Sequence, residues 1–373
     1  MNFDFCILNY FRVKIISIMT NMRTLSLLIF SALFFSACSL SNGGADGGIY
    51  RSDDSGKTFL QKEKVENNKT ISGVDVLSLA VNPQNGSEIY IGTKSSGIFK
   101  SSDAGEAWKQ LKVSQVTPVK VYALAIDPND PRMIYAAAVF GKRGIIVKST
   151  DAGETWKDVY SEPTGGSLVL SMSVNSQNSS EIFAGTDKGQ IIFSEDAGAS
   201  WRSVYWSDSN SAIYKIALDS VNANVAYFIL HGKGALRTTD KGKSFQRLQR
   251  GKTENTFSFG GELTGAVSLE TDPMREGWVY IGTAEGLLRS KNRGESWEVV
   301  KTLNQPNELN IRSIAINPRN SDEIICSVAQ TFYKSVDGGV NWMPVQFNTS
   351  RSLETLEYNL QNPEQIFAGM NKR

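Results

Sequence analysis

The pattern Ser/Thr-x-Asp-x-Gly-x-x-Trp/Phe recurs seven times in this chain, and no other feature limits the possible folds as much. The copies begin at Ser52, Ser101, Ser149, Ser194, Thr238, Ser290 and Ser335. Their third residues are Asp54, Asp103, Asp151, Asp196, Asp240, Asn292 and Asp337, and their last are Phe59, Trp108, Trp156, Trp201, Phe245, Trp297 and Trp342. Successive third residues lie 44 to 52 positions apart. A period of that size means a stack or ring of similar units. A residue present in every unit reads as scaffold, so function is sought in what is not repeated.

Each unit holds the makings of four short strands. In residues 76–112, Val76–Val81 alternates as a half-buried strand and Asn82-Pro83-Gln84-Asn85-Gly86 is turn chemistry. Glu88–Thr93, Ile98–Ser101 and Trp108–Leu111 follow as the second, third and fourth strands, with the octapeptide turning the chain between the last two. Four antiparallel strands in about 47 residues make one propeller blade. The chain enters in mid-unit, with a third strand at Gly48–Ser52 and a fourth at Phe59–Gln61. It leaves in mid-unit, with a first strand at Leu353–Tyr358 and a second at Gln365–Gly369. The half-units complement each other. The predicted fold is all-β, one seven-bladed ring over 48–373, closed by a composite blade that leaves no open strand edge.

Within the octapeptide, the Asp or Asn side chain is expected to accept backbone N–H bonds of the turn. Gly supplies a positive φ, and the aromatic residue buries its area between sheets, worth about 1.5–3 kcal/mol. Calcium binding is set aside, because one carboxylate per turn is too few for a cation that takes about six to eight oxygens. No metal and no cofactor is expected. With 39 basic and 38 acidic residues, the chain lacks the basic excess of a nucleic-acid binder. One histidine, His231, excludes histidine-rich sites. A monomer is expected.

The N-terminus reads as an address. Arg23 precedes an apolar run from Leu25 to Phe35, right for a signal peptide and short for a membrane span. Phe35-Ser36-Ala37-Cys38 resembles the bacterial lipobox, in which the cysteine is lipidated and becomes the new N-terminus; Phe35 stands where Leu is usual. The alternative is an ordinary signal peptide with an incidental cysteine. Met19 or Met22 is a candidate true start. Residues 39–47 form a glycine-rich tether whose length, roughly 15–18 Å, keeps the ring near a membrane. The expected location is the cell envelope, with Cys38 as the lipid anchor. Cys326 is then the one free thiol.

Both turn types beside the octapeptide are standardised, so recognition is expected on the opposite face. There lie the links between blades (62–74, 113–119, 161–166, 206–211, 250–264, 302–309, 347–351) and the turns between second and third strands. The longest link carries Phe257 and Phe259. The turns hold Lys94, Lys142, Arg143, Lys188, Lys233, Lys372 and Arg373 against Asp187 and Glu285. A basic ring around one channel mouth would attract an acidic protein segment or an anionic polymer. Gly48 opens a third strand, so the tether enters on this same face.

These octapeptides are identified as Asp-boxes, also called BNR repeats. Seven of them, one closed ring and a lipobox resemble the lipoprotein branch of the photosystem II assembly factor family. That resemblance implies a non-enzymatic propeller whose basic patch receives a partner protein; it places no arginine of that patch on a position here. Sialidases share the boxes, but their Phe/Tyr-Arg-Ile-Pro signature is absent. Xyloglucan hydrolases form their cleft from two such rings. Sortilin-type receptors have ten blades and disulfides. The alternative function is an extracellular glycoside hydrolase, which needs two carboxylates about 5–9.5 Å apart. Its candidates on the variable face are Glu162, Asp208, Glu262 and Glu308, each on a different link.

Overall fold

Repeated turn chemistry produces repeated sheets. The structure, a computed structural model, describes residues 46–113, 120–250, 261–300 and 310–372, which lie in one unit, Ala45–Arg373. The lipobox with Cys38, most of the tether, Phe257, Phe259, Glu308 and Arg373 lie outside the described residues. Among those described are seven four-stranded antiparallel sheets and two short two-stranded ones.

Blade 1 comprises Val76–Val81, Ile89–Thr93, Ile98–Ser101 and Lys109–Leu111, within a residue of the strands read from the sequence. In the closing blade, Ser352–Tyr358 and Ile366–Asn371 pair with Gly48–Ser52 and Leu60–Lys62. Tyr50 lies opposite Ala368 and Gly48 opposite Met370, so the two ends of the ring close one sheet as predicted. Two links depart from plain loops. Residues 62–74 contain a small ribbon, Lys64–Val65 with Lys69–Thr70, around a 3-10 turn. The longest link opens and closes as a ribbon of Gln249–Arg250 with Gly261–Glu262.

The core is divided, not central. Seven clusters of buried apolar side chains each join neighbouring blades. Tyr90 and Ile98 of blade 1, for example, pack with Val121 and Ile134 of blade 2. Close approach explains one recurrent glycine: a Cβ on Gly185 would lie 2.5 Å from Ile213 Cγ2 of the next blade.

Two sets of hydrogen bonds organise one face. In each blade, the N–H of the octapeptide's fourth residue donates to the turn between strands one and two: Ala104 to Ser87 O, Ala152 to Arg132 O, Ala197 to Ser180 O, Ser55 to Glu364 O. That same fourth residue also accepts a bond from the preceding blade. Arg51 donates to Ala104 O at 2.7 Å, Lys100 to Ala152 O at 3.3 Å, Lys148 to Ala197 O at 2.9 Å, Arg289 to Gly338 O at 2.7 Å and Lys334 to Ser55 O at 3.1 Å. Arg237 donates to Arg293 O in the same way. Each of these cations stands immediately before the opening Ser/Thr of its own octapeptide. Blade 3 has Phe193 there, packed at 4.3 Å between ring centroids on Phe183. Six inter-blade contacts are thus cationic clips, and blade 3 supplies none, because its Phe193 packs on Phe183 of its own sheet.

The entry of the chain is also fastened. Asp46 accepts from Ser350 N at 2.5 Å, Thr349 Oγ1 at 3.0 Å and Arg351 Nε at 3.2 Å. Arg351, 9% exposed, pairs with Asp75 as well. The Ser350 amide is the main reason that the Asp46 carboxyl lies far below the usual range. Asp46 and Gly47, assigned to the tether by sequence, are therefore held by the closing blade and the first link.

Candidate functional site

The octapeptide builds its turn around one hydroxyl and one carboxylate. Ser149 Oγ donates to Asp151 Oδ1 at 2.8 Å and accepts from Gly153 N at 2.8 Å. Asp151 accepts the amide of Thr155 at 2.8 Å and its hydroxyl at 2.5 Å. The Thr155 hydroxyl is the largest influence holding Asp151 down to about 2, and Ser200 and Ser244 do the same for Asp196 and Asp240. Asp54, Asp103, Asn292 and Asp337 make the equivalent bonds to Ser52, Ser101, Ser290 and Ser335. These carboxylates are occupied by their own turns. Among the described residues, no group of three His, Cys, Asp or Glu side chains could hold a metal.

Charges on this face are largely paired. Lys100 meets Glu88 at 3.4 Å, Arg132 meets Asp130 at 2.9 Å, and Lys241 meets Glu181 at 2.6 Å. Arg275 meets Asp322 at 2.8 Å and Lys334 meets Glu323 at 2.9 Å. The opposite face differs. Lys94, Lys142, Arg143, Lys188, Lys233 and Lys372 are all exposed. Lys94 reaches Asp75 only at 4.0 Å, and Lys188 donates to the Gly165 carbonyl at 3.3 Å. Lys142, Arg143, Lys233 and Lys372 form no ion pair among the described residues. This rim surrounds the mouth of the axial channel.

Of the carboxylates predicted on the links, the structure describes the side chains of Glu162 and Asp208. Asp208 is exposed, and Glu162 accepts from Tyr160 Oη at 2.5 Å. The side chain of Glu262 lies outside the described set. A different acidic pair occurs inside the channel, which the first strands line as a cavity of about 470 Å³. At the matching register of their first strands the other blades carry Ala80, Ala125, Ser173, Ala217 and Ala315, whereas blades 5 and 7 carry Glu270 and Glu357, which line the cavity. Burial pushes Glu270 up to about 7. Glu357 opens onto the channel, yet the surrounding wall and the Glu270 charge push it up to about 8 against the pull of Lys215. Lys215 replaces the Ser, Ala or Thr of the other blades one level away, and Arg312 and Glu354 lie in the ring nearer the basic mouth. The sequence reading missed this cluster because it sought function in loops. The signal was present as two glutamates in an otherwise small-residue register.

These features define a class: a seven-bladed propeller with a bonded scaffold face, a basic rim and a charged channel. Two consecutive stretches, 47–143 and 144–272, match the Sortilin-Vps10 family model (Sortilin, neurotensin receptor 3). They span more than half of the chain, and the chain belongs to that family. Blade number and disulfides, which set sortilin-type receptors apart in the sequence reading, do not exclude membership. No curated protein matches the sequence. Among solved structures, the chain is similar to the GH74 xyloglucanase from Xanthomonas campestris, with a TM-score of 0.66 and 15% identity over 80% of this chain and 51% of that one. It is also similar to YCF48 from Cyanidioschyzon merolae, with a TM-score of 0.61 and 13% identity over 79% and 95% of the two chains. YCF48 bound to D1 peptide gives a TM-score of 0.56 and 12% identity over 80% and 93%. The chain spans about half the length of the xyloglucanase. At these identities the similarities show the fold, which is shared by a xyloglucanase and by a protein solved with a bound peptide.

Proposed function

We propose that this chain is a non-enzymatic, envelope-tethered interaction propeller that binds an acidic protein segment through its basic rim. The observation that carries the reading is the contrast between faces. Cations beside the octapeptides are neutralised by neighbouring carboxylates, whereas those at the opposite mouth are exposed and mostly unpaired. Unpaired charge of one sign around a concave mouth steers an oppositely charged partner. The YCF48 similarity supports a protein partner, since that protein was solved with the D1 peptide bound. Cys38 supplies the lipid anchor in this reading. Replacing Cys38 by Ala would abolish incorporation of radiolabelled fatty acid and release the protein from membranes; unchanged labelling would remove the anchor.

A hydrolase requires a pair of carboxylates across a substrate, and the link acids assigned to that role are not paired among the described residues. Affinity capture from the organism's own membranes, at low and high salt, tests the binding reading. A protein retained at low salt and lost at high salt supports it. Recovery of a neutral glycan as the sole ligand, with cleavage abolished by Asp208→Asn, would establish the hydrolase instead.

A further inference from the structure

The channel holds charges of both signs that the fold does not use. Lys215, Arg312 and Glu357 line its cavity, and none makes a hydrogen bond or ion pair with another described residue. Glu270 accepts only the adjacent Thr271 amide, at 3.0 Å. Asn371 Oδ1, also on the wall, is buried without a donor. Blades that need only to pack carry Ala or Ser where Glu270 and Glu357 stand, so the ring closes without these glutamates. Beyond the attraction of Lys215 for the two glutamates, these groups face the channel with no contact that neutralises them, so a ligand entering it meets unspent charge. A volume of about 470 Å³ falls within the usual range of small-molecule sites, about 300–1,000 Å³.

We infer that the channel is a binding site for a small zwitterion with separated charges, of the size of a dipeptide with free termini. Its ammonium group sits between Glu270 and Glu357, and its carboxylate faces Arg312 toward the basic mouth. The two levels are three strand residues apart, roughly 10 Å along the chain. That separation suits a dipeptide better than a single α-amino acid. The Asn371 carbonyl oxygen offers the ligand's N–H groups a further acceptor. The basic rim would draw the anionic end inward first. Lys215 balances only one of the two glutamates, which leaves the pair able to take a second cation. This site is separate from the rim proposed to receive a protein.

The test is isothermal titration of the full-length protein with glycylglycine, glycine, ethylammonium and propionate. Saturable glycylglycine binding is expected, with glycine, ethylammonium and propionate each weaker by about tenfold or more. Glu357→Ala and Arg312→Gln should each cost about tenfold. Alanine at 357 restores the residue type of four other blades, and a cooperative melting transition no lower than that of the wild type would show that the ring is intact. Binding should release protons, seen as heats that differ between buffers of different ionisation enthalpy. Absence of binding to about 10 mM, equal binding of ethylammonium, or affinity unchanged by Glu357→Ala would each overturn the assignment. Charge reversal at Lys142 and Arg143 separates the two sites: it should abolish capture of the acidic partner and leave glycylglycine binding in place.

Discussion

Each octapeptide places two successive residues in the left-handed region. The second is the motif glycine, such as Gly153 at φ 91°, but the first is usually not glycine: Ser55, Ala104, Ala152, Ala197, Lys241 and Arg293 have φ between 55° and 62°. The sequence marked the glycine and showed no sign of its neighbour, because Ala, Lys and Arg have no preference for that region. The strain persists because the residue is bonded through its N–H to its own blade and, except at Lys241, through its carbonyl to the clip from the preceding one. Ala152→Gly should therefore stabilise the ring by about 0.5–1 kcal/mol, the strain relieved minus the entropy glycine adds to the unfolded chain. Equilibrium denaturation measures it, and a destabilisation would show that the positive φ is not strained. Asp151, Asp196 and Asp240 are held to about 2 in the folded ring, below the ordinary aspartate value of 3.8. Their contribution is present above about pH 4 and lost as pH falls toward about 2. Asp196→Asn should shift the acid limb of the stability profile to lower pH, as the sixth copy's Asn292 already lacks that titration.

At the scale of the blade, the sequence disclosed strands and closure because turn residues punctuate every unit. It also contained the clips, as a Lys or Arg before six of seven octapeptides, but a lone cation at a strand end reads as solvated until its partner is seen. Lys148→Met keeps the stem on Tyr135 and removes the bond to Ala197 O. A loss of about 1.5–3 kcal/mol is expected by chemical denaturation. The same change at the exposed Lys157 should cost less than about 0.5 kcal/mol. Equal effects would reduce the clip to a surface contact. The latch of Asp46, Arg351 and Asp75 belongs to the same scale. Arg351→Met strands two carboxylates at the point where the ends of the ring meet, and a loss of about 3 kcal/mol or more is expected.

The whole ring sets the electrostatics of its axis. Glu270 and Glu357 carry raised pKa values, about 7 and about 8, above the ordinary glutamate value of 4.5. The folded state therefore binds more protons than the unfolded one between those limits, and stability falls as pH rises from about 4.5 through about 8. The double replacement Glu270→Ala/Glu357→Ala should flatten that decline and raise the melting temperature at about pH 8.5 while changing little at about pH 4.5. An unaltered slope would mean that the pair titrates normally. Loops attracted attention in the sequence because they vary in length, whereas the channel glutamates vary only in type within a fixed register, and only a superposition of blades reveals them. The rim was readable as a bias among turn residues; that its lysines stay unpaired required the structure.

The proposed function requires that the basic rim receive an acidic partner. Fluorescence anisotropy of a labelled Asp/Glu-rich peptide with the full-length protein tests it most directly, for the wild type and for Lys142→Glu/Arg143→Glu/Lys233→Glu, across salt concentrations. Saturable binding that weakens steeply with salt and drops by about tenfold or more on charge reversal is predicted. Binding indifferent to salt and unchanged by the reversal would contradict it.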